Sequence, residues 1–298
     1  MTTLARLGSW PLRVGWVLLA VASGPTGADA LDGAPTAATV LVATAAWTAW
    51  GAVVVALGVP RTTSLTVVRT LVPLAPVAAV GAVAAGSDPS ALDAAVLGLS
   101  TATATWAFAP FVTDEFVDGS SYGPERRFAV RTPVPVAAVA IVAWSVATAV
   151  LAAAVVSATA GRWALAAAAS VGTAAVATLV VRSIHQLSRR WLVLVPTGLV
   201  VHDPLELAEA QLLPRRSLRA VGPAAADAPD GATTLDLTGG AVGLAMALVL
   251  AEPVDLAVRE GQGAAITHAD RLLVTPLRPA ALLAAAEAHR LPVTTAGA

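Results

Sequence analysis

Residues 133–157 read PVPVAAVAIVAWSVATAVLAAAVVS, an apolar run that contains no charged side chain. A helix needs about 20 mostly apolar residues to cross the hydrocarbon core of a bilayer. The Thr132-Pro133 pair marks the start of the run, because proline is tolerated in the first helical turn, where no amide donor is needed. The run therefore predicts a transmembrane helix.

The same pattern recurs through the first 185 residues. Composition agrees, since 57% of residues are hydrophobic, 12% are charged and the mean hydropathy is +0.76, whereas soluble domains carry about 25% charged residues. Helix-breaking residues separate the apolar runs, and Asp88 followed by Pro89 is the expected start of one helix. Four further spans are predicted, at residues 37–58, 67–86, 91–112 and 163–183.

The N-terminal residues allow two interpretations. Residues 7–23 form a first, uncleaved span if the Arg13 side chain snorkels to the interface. The alternative is a cleaved signal peptide, since arginines precede a short apolar core and Ala28-Asp29-Ala30 resembles a signal-peptidase site. With the uncleaved helix, residues 1–185 are predicted to form an α-helical polytopic membrane bundle of about six transmembrane helices.

The arginines orient this bundle. All 18 basic residues are Arg, and positively charged residues collect at the cytoplasmic ends of spans. With the N-terminus inside, Arg162 alone lies at an outer end. The cytoplasmic ends carry Arg6, Arg13, Arg61, Arg69, Arg126, Arg127, Arg131, Arg182, Arg189 and Arg190. This bias predicts a multi-pass protein of the cell (inner) membrane with both termini in the cytoplasm.

The spans themselves contain few ionisable side chains, which argues against an ion-coupled transporter. Arg69 begins the third span and is interpreted as a positive-inside anchor. Asp93 lies in the first turn of the fourth span, where a carboxylate complements the helix dipole. Trp47 and Trp50, three residues apart, are expected to pack against a neighbouring helix rather than to stack on a ligand.

The composition changes after residue 185. Two β-branched runs, Trp191–Val195 and Leu199–Val201, flank a Pro-Thr-Gly turn and predict a hairpin. The apolar run Ala241–Leu250 is too short to span a bilayer and predicts a buried strand or a short core element. Pro279–Arg290 has the apolar spacing of a helix. Further strands are predicted at Gln211–Leu213, Ser217–Val221, Thr233–Leu237, Ala247–Leu250, Val254–Val258 and Leu272–Thr275.

This order of short strands and one final helix resembles a known family. The hairpin PTGLVVHD at 196–203 and the ending LLVTPLRPAALLAAA at 272–286 resemble the bacterial pleckstrin-homology-like domains that are attached to membrane spans. The resemblance covers residues 186–298 and implies a small β-rich cytoplasmic domain, with strands followed by a C-terminal helix. It also implies a non-enzymatic platform that binds proteins or lipids. The membrane part resembles no family.

The segment DEFVDGSSYGPERRFAVR, residues 114–131, concentrates seven charged side chains between the fourth and fifth spans. Orientation explains the arginines but not the four acids. Interleaved acids and arginines indicate a segment that folds, with Arg–carboxylate pairs available to bind it to itself, to the cytoplasmic domain or to a polar ligand. The first interpretation is nevertheless a solvated anchoring loop; the alternatives are an ordered interaction surface and a catalytic or headgroup-binding site. The candidate ligand- or partner-binding residues are Asp114, Glu115, Asp118, Tyr122, Glu125, Arg126, Arg127 and Arg131.

The sequence predicts no catalytic residue, metal site or cofactor. The chain has no Cys, which excludes a thiolate nucleophile and a cysteine-based metal site. His202-Asp203, and His268 with Asp270, fall where turns are expected and lack the pattern of a metal-binding motif. The net charge of -1 provides no basic field for nucleic acid.

These observations predict a membrane-anchored interaction or assembly factor that uses its cytoplasmic domain and the 114–131 segment. The expected partners are the lipid bilayer and a protein at the cytoplasmic face, and an enzymatic activity is not favoured. The alternative is a membrane enzyme or transporter that handles a lipid or small solute at the same face.

Overall fold

The computed structural model describes residues 6–86, 89–225, 233–261 and 263–294. The chain forms two compact units. The first, here called the membrane unit, contains Met1–Phe116 and Ala140–His185, and the second, here called the sheet unit, contains Val117–Val139 and Gln186–Ala298. The predicted boundary after residue 185 is a single division of the chain, whereas residues 117–139 also belong to the second unit.

Apolar helices dominate the first part of the chain. Within the described residues, four are long and apolar enough to cross a membrane, or five if one bent pair counts as a single span, which indicates a membrane protein. The predicted count of about six is not confirmed. The helices are α1 (Trp10–Ala30), α2 (Thr36–Gly58), α3 (Thr62–Leu71), α4 (Leu74–Ala85), α5 (Ala91–Trp106), α6 (Pro110–Asp118), α7 (Val134–Thr159) and α8 (Trp163–Leu187).

The four candidate spans are α2, α3 with α4, α7 and α8, and the bent pair is α5 with α6. Helix α1 covers most of the predicted first span but is not among these candidates. It packs against α2, α4 and α5.

Helix α5 begins at Ala91, as predicted, but its capping residue and its end differ from the prediction. The Asp88 cap lies outside the described residues, and the cap present is Ser90, whose Oγ accepts a hydrogen bond from the Asp93 amide. The Asp93 carboxylate accepts the Ser90 amide in return, which completes a capping box. The predicted end at residue 112 is wrong: α5 ends at Trp106, and α6 starts at Pro110 after a bend of 57°. Proline cannot donate to the preceding helical turn, so the helix breaks there.

Tryptophan side chains connect the membrane helices through backbone acceptors. Trp16 Nε1 donates to the Trp50 carbonyl oxygen, and Trp50 Nε1 donates to the Trp16 carbonyl oxygen, each over 3.1 Å. Trp144 Nε1 donates to the Thr70 carbonyl oxygen over 3.0 Å. An indole N–H in an apolar environment needs such an acceptor. Trp50 thus packs against a neighbouring helix, whereas Trp47 is 59% exposed.

The sheet unit contains two four-stranded sheets and a final helix, so the predicted β-rich part with a C-terminal helix is confirmed in this general form. The sheet orders are β1-β2-β3-β4 and β5-β7-β8-β6. All neighbours are antiparallel except β6 and β8. The elements are β1 (Arg126–Ala129), β2 (Trp191–Val195), β3 (Gly198–His202), β4 (Gln211–Pro214), β5 (Leu218–Pro223), β6 (Thr234–Asp236), β7 (Met246–Glu260), β8 (Gly263–Val274) and α9 (Pro279–Ala288).

Strand β1 comes from the segment between α6 and α7. It pairs with β2, with Phe128 opposite Leu192, and both side chains lie in the hydrophobic core. Because β1 precedes α7 and β2 follows α8, this pairing joins chain segments on either side of these two helices. The sequence analysis missed the strand, since RRFA is short and half charged.

Several strand predictions differ from the structure, and the predicted strand Leu272–Thr275 covers only the end of β8. The separate strands Ala247–Leu250 and Val254–Val258 belong to one long strand, β7, with an irregularity in its pairing to β8 between Val249 and Val254. Residues 241–245 precede β7 and are not part of a strand. The core of the unit combines side chains from both sheets and α9, such as Leu192, Leu248 and Leu282.

Candidate functional site

The eight candidate residues of the 114–131 segment fall in both units. Asp114 and Glu115 belong to the membrane unit and lie on α6, and the others belong to the sheet unit. Arg126 and Arg127 lie on β1, and only the residues between α6 and β1 form a turn. The interpretation as a continuous loop was therefore wrong, because helix and strand structure extend into the segment from both ends.

Glu115 connects α6 to the start of α1. Its Oε2 accepts a hydrogen bond from the Ser9 amide over 2.8 Å, and its Oε1 accepts one from Ser9 Oγ over 2.7 Å. Arg13 Nη2 lies 3.6 Å from the same carboxylate. More than 100 residues separate Glu115 from these partners, so sequence spacing could not identify them. This geometry assigns Glu115 a structural role in the membrane unit.

Arg69, which the sequence analysis interprets as a positive-inside anchor, also contacts α6. Its Nη2 donates to Thr113 Oγ1 over 2.7 Å, and its guanidinium carbon lies 5.5 Å from the centre of the Phe108 ring. Asp114, next to Thr113, is buried with 6% of its surface exposed. Arg69 therefore supports the bend between α5 and α6 through a hydrogen bond and a cation–π contact.

Asp118, the last residue of α6, organises the turn that follows. Its Oδ1 accepts hydrogen bonds from Ser121 Oγ and from the Arg127 amide, both over 2.8 Å. Its Oδ2 lies 3.0 Å from Arg126 Nε. One carboxylate thus contacts the turn and the first two residues of β1.

The turn carries an exposed aromatic side chain. Tyr122, the single tyrosine of the chain, is 86% exposed. Its carbonyl oxygen accepts a hydrogen bond from the Glu125 amide over 3.2 Å. His289 Nε2, at the end of α9, lies 2.9 Å from the Pro124 carbonyl oxygen. We call residues 118–126 the Tyr122 turn; these backbone and side-chain bonds connect it to β1 and to the residue that follows α9.

The remaining candidates have partners within the sheet unit. Glu125 Oε2 lies 3.5 Å from Arg127 Nη2, and the Arg127 guanidinium lies 5.8 Å from the centre of the Trp191 ring. Arg131 is held by its backbone, because its amide donates to the Thr275 carbonyl oxygen over 2.7 Å. The predicted pairing of arginines with acids inside the segment is thus present for Arg126 and Arg127.

The most buried charged group of the sheet unit was missed. Arg190 Nε and Nη2 donate to the two Asp203 carboxylate oxygens over 2.8 and 2.6 Å, in the bidentate geometry that arginine favours. The side chains are 0% and 3% exposed. Arg190 also donates to the carbonyl oxygens of Arg131 and Leu237. Its interpretation as a span-end arginine did not anticipate this role, since its acceptors come from three other segments.

One of the two turns predicted at the histidines is present, since Asp203 follows β3 and its carbonyl oxygen accepts a hydrogen bond from the Glu206 amide. The other is wrong, because His268 and Asp270 lie on a strand. His268 lies on β8, opposite Asp255 of β7, and its Nδ1 contacts that carboxylate. His202 ends β3, and its ring stacks on Trp191 with 4.6 Å between ring centres. Across the described ranges, no group of three or more His, Asp or Glu side chains is arranged to hold a metal ion.

The chain matches no protein-family model, no curated protein and no solved structure. Residues 186–298 are accordingly not identified as a pleckstrin-homology-like domain by any match.

Proposed function

We propose that this chain is a membrane-anchored interaction or assembly factor whose sheet unit presents the Tyr122 turn to a protein partner. The observation that supports this function is an aromatic side chain that is 86% exposed on a turn held by Asp118. Tyrosine is enriched among the residues that dominate binding energy at protein interfaces. A turn that is already ordered loses little conformational entropy when a partner binds.

The charge next to Tyr122 extends this surface. The Arg126 side chain is 57% exposed although its Nε pairs with Asp118. Arginine is the second residue type that favours interface hot spots, because its planar guanidinium donates several hydrogen bonds. A partner with an apolar pocket beside a carboxylate suits this pair of side chains.

The proposed location is the cell (inner) membrane, with the sheet unit and both termini in the cytoplasm. The pairing of β1 with β2 supports a hairpin of α7 and α8 that crosses the membrane and returns to the same side. Arg126, Arg127 and Arg131 precede the hairpin, and Arg189 and Arg190 follow it. By the positive-inside rule, this side faces the cytoplasm.

We also propose that the sheet unit is related to pleckstrin-homology-like platforms. Its support is the element order, in which two four-stranded sheets precede a C-terminal helix. Such a platform fits a function in binding rather than in catalysis.

The test is mass-spectrometric identification of proteins that co-purify with the tagged full-length chain from native membranes. Tyr122→Ala removes the ring but retains the backbone bonds of the turn, so we expect a stoichiometric partner to be lost. Leu212→Ala is the matched control, since Leu212 is an exposed apolar residue of the same unit (44% exposed). The control should retain the partner.

A second pair of variants tests the order of the turn. Asp118→Ala removes the acceptor of three contacts, so less of the same partner should co-purify. Asp118→Asn keeps an acceptor oxygen and should retain more of the partner. A partner retained by Tyr122→Ala would refute the proposed site. A bound lipid or metabolite, without a stoichiometric protein, would favour the alternative of a membrane enzyme or transporter that acts at the cytoplasmic face.

A further inference from the structure

The segment between β6 and β7 exposes large apolar side chains. Residues 238–245, here called the Val242 loop, read TGGAVGLA and contain no charged residue. Val242 is 73% exposed and Leu244 is 52% exposed. The sequence analysis expected Ala241–Leu250 to be buried, but burial begins only at Met246, where β7 starts. The proposed function does not use this loop.

The Val242 loop has a defined conformation at both ends. The Ala241 amide donates to the Thr238 carbonyl oxygen over 3.0 Å. Gly239 and Gly240, the central residues of this turn, have φ of 58° and 77°, the positive values that a type I′ turn requires. At the other end, the Ala224 amide donates to the Ala245 carbonyl oxygen over 2.9 Å. The exposure of the Val242 and Leu244 side chains therefore follows from the hydrogen-bonded conformation of the loop.

The loop lies against the residues that precede α7. A Cβ placed on Gly239 would come within 2.9 Å of Pro133 Cγ, and one placed on Gly243 within 2.5 Å of Arg131 Nε. The loop backbone thus packs directly on both residues. The next residue, Val134, begins α7, a helix of 26 residues that is long and apolar enough to cross a membrane.

We infer that the Val242 loop inserts Val242 and Leu244 into the bilayer. Apolar side chains that water would otherwise surround gain free energy when they enter the headgroup and acyl-chain boundary. The Arg131 guanidinium beneath Gly243 places a cation at headgroup level, where anionic lipids attract it. The occupant is the bilayer rather than a protein, because the loop is packed against the residues at which the chain enters a predicted span.

The absence of Cys from the sequence permits a direct test with the full-length chain. Val242→Cys and Leu244→Cys would each be labelled with an environment-sensitive fluorophore. The proteins would then be reconstituted in vesicles of phosphatidylcholine with a minor share of phosphatidylglycerol. Quenching would be measured with lipids that carry a spin label either near the headgroup or near the end of the acyl chain.

Ile266→Cys is the matched control, since Ile266 is 64% exposed in the same unit. It pairs with Ala257, eleven residues along β7 from Met246, or roughly 35 Å of extended strand. A label at this position should remain in water. The labels on the Val242 loop should show blue-shifted emission, with stronger quenching by the headgroup-proximal spin label.

Three results would overturn the inference. Water-like emission from both loop labels would show that the loop does not enter the bilayer. Blue-shifted emission without quenching by either lipid would show that protein covers the loop. Equal quenching of the Ile266 label would show a general apposition of the unit to lipid rather than insertion of this loop. None of these results depends on whether the Tyr122 turn binds a partner.

Discussion

In the sheet unit Leu192, Leu248 and Leu282 are completely buried, whereas in the membrane unit Val55 and Leu179 are 68% and 64% exposed. Both sets of side chains are equally apolar. The sheet unit removes them from water within its own core, while the apolar helices of the membrane unit leave them exposed, as is expected of helices that a bilayer surrounds. The difference shows that a high content of apolar residues predicts that a segment avoids water. It does not predict whether protein or lipid surrounds the segment.

The two units also differ in how they satisfy buried polar groups. In the membrane unit, neutral indole N–H groups donate to backbone oxygens, as in the reciprocal pair of Trp16 and Trp50. In the sheet unit, Arg190 and Asp203 form a fully buried ion pair. Removing one partner of such a pair leaves an uncompensated charge, whereas loss of a neutral hydrogen bond costs much less. Substitutions at these groups should therefore destabilise the sheet unit more than the membrane unit.

The largest effect is expected for Arg190→Met, which leaves Asp203 buried without its cation. Breaking a buried ion pair costs about 3–5 kcal/mol. Hydrogen exchange of peptides from β2 and β3 in the full-length protein should therefore accelerate strongly. Arg189→Met, at the adjacent exposed arginine, is the control and should leave exchange unchanged.

The double variant Arg190→Met with Asp203→Leu sharpens this test. It removes both charges, so it should recover much of the protection that the single variant loses. A double variant as unstable as the single one would mean that the hydrogen bonds from Arg190 to the Arg131 and Leu237 carbonyl oxygens dominate instead.

A smaller effect is expected for Trp50→Phe in the membrane unit. The variant removes the N–H that donates to the Trp16 carbonyl oxygen, and hydrogen bonds between membrane helices contribute about 1 kcal/mol. The midpoint of denaturation in detergent should fall modestly. Trp47→Phe, three residues away and 59% exposed, should change it less. Equal effects of the two variants would contradict a role for the reciprocal hydrogen bonds.

The smallest effect is expected for Glu206→Gln in the sheet unit. Burial first, and then the charge of Asp203, raises the pKa of the Glu206 carboxyl group. A raised pKa in the folded state means that the stability present at low pH is lost as the pH rises through that value. The variant, which cannot ionise, should unfold at a slightly higher temperature than the parent at neutral pH.

Thermal melts of both proteins, at neutral pH and at a pH below the usual pKa of a carboxyl group, would test this pH dependence. The difference between Glu206→Gln and the parent should vanish at the lower pH, because Glu206 is then protonated in both states. Glu209→Gln, at an exposed acid nearby, is the control. A difference that is independent of pH would show that ionisation of Glu206 is not its cause.

Local patterns predicted several elements well. The hairpin around Pro196-Thr197-Gly198 corresponds to β2 and β3, and the helix predicted from Pro279 corresponds to α9. Alternation and turn residues are local signals, so they can be read from neighbouring positions. The bend at Pro110 was not predicted, because the apolar run continues to residue 112 without a change in composition.

The candidate site was predicted only in part. Asp118, Tyr122 and Arg126 lie together in one ordered turn, with the expected pairing of acid and arginine. The partner of Glu115, by contrast, is Ser9, about a third of the chain away. No local pattern contains such a contact, because it depends on which helices pack together.

The amino-acid sequence by itself determined which segments are apolar enough for a bilayer and where the chain turns to short strands, since both properties depend on composition and near-neighbour spacing. Only the tertiary structure decided that β1 completes the first sheet, that Arg190 is buried on Asp203, and that Val242 is exposed. These outcomes depend on pairing between distant segments. The free energy of a charged or apolar side chain is set by what surrounds it after the chain has folded.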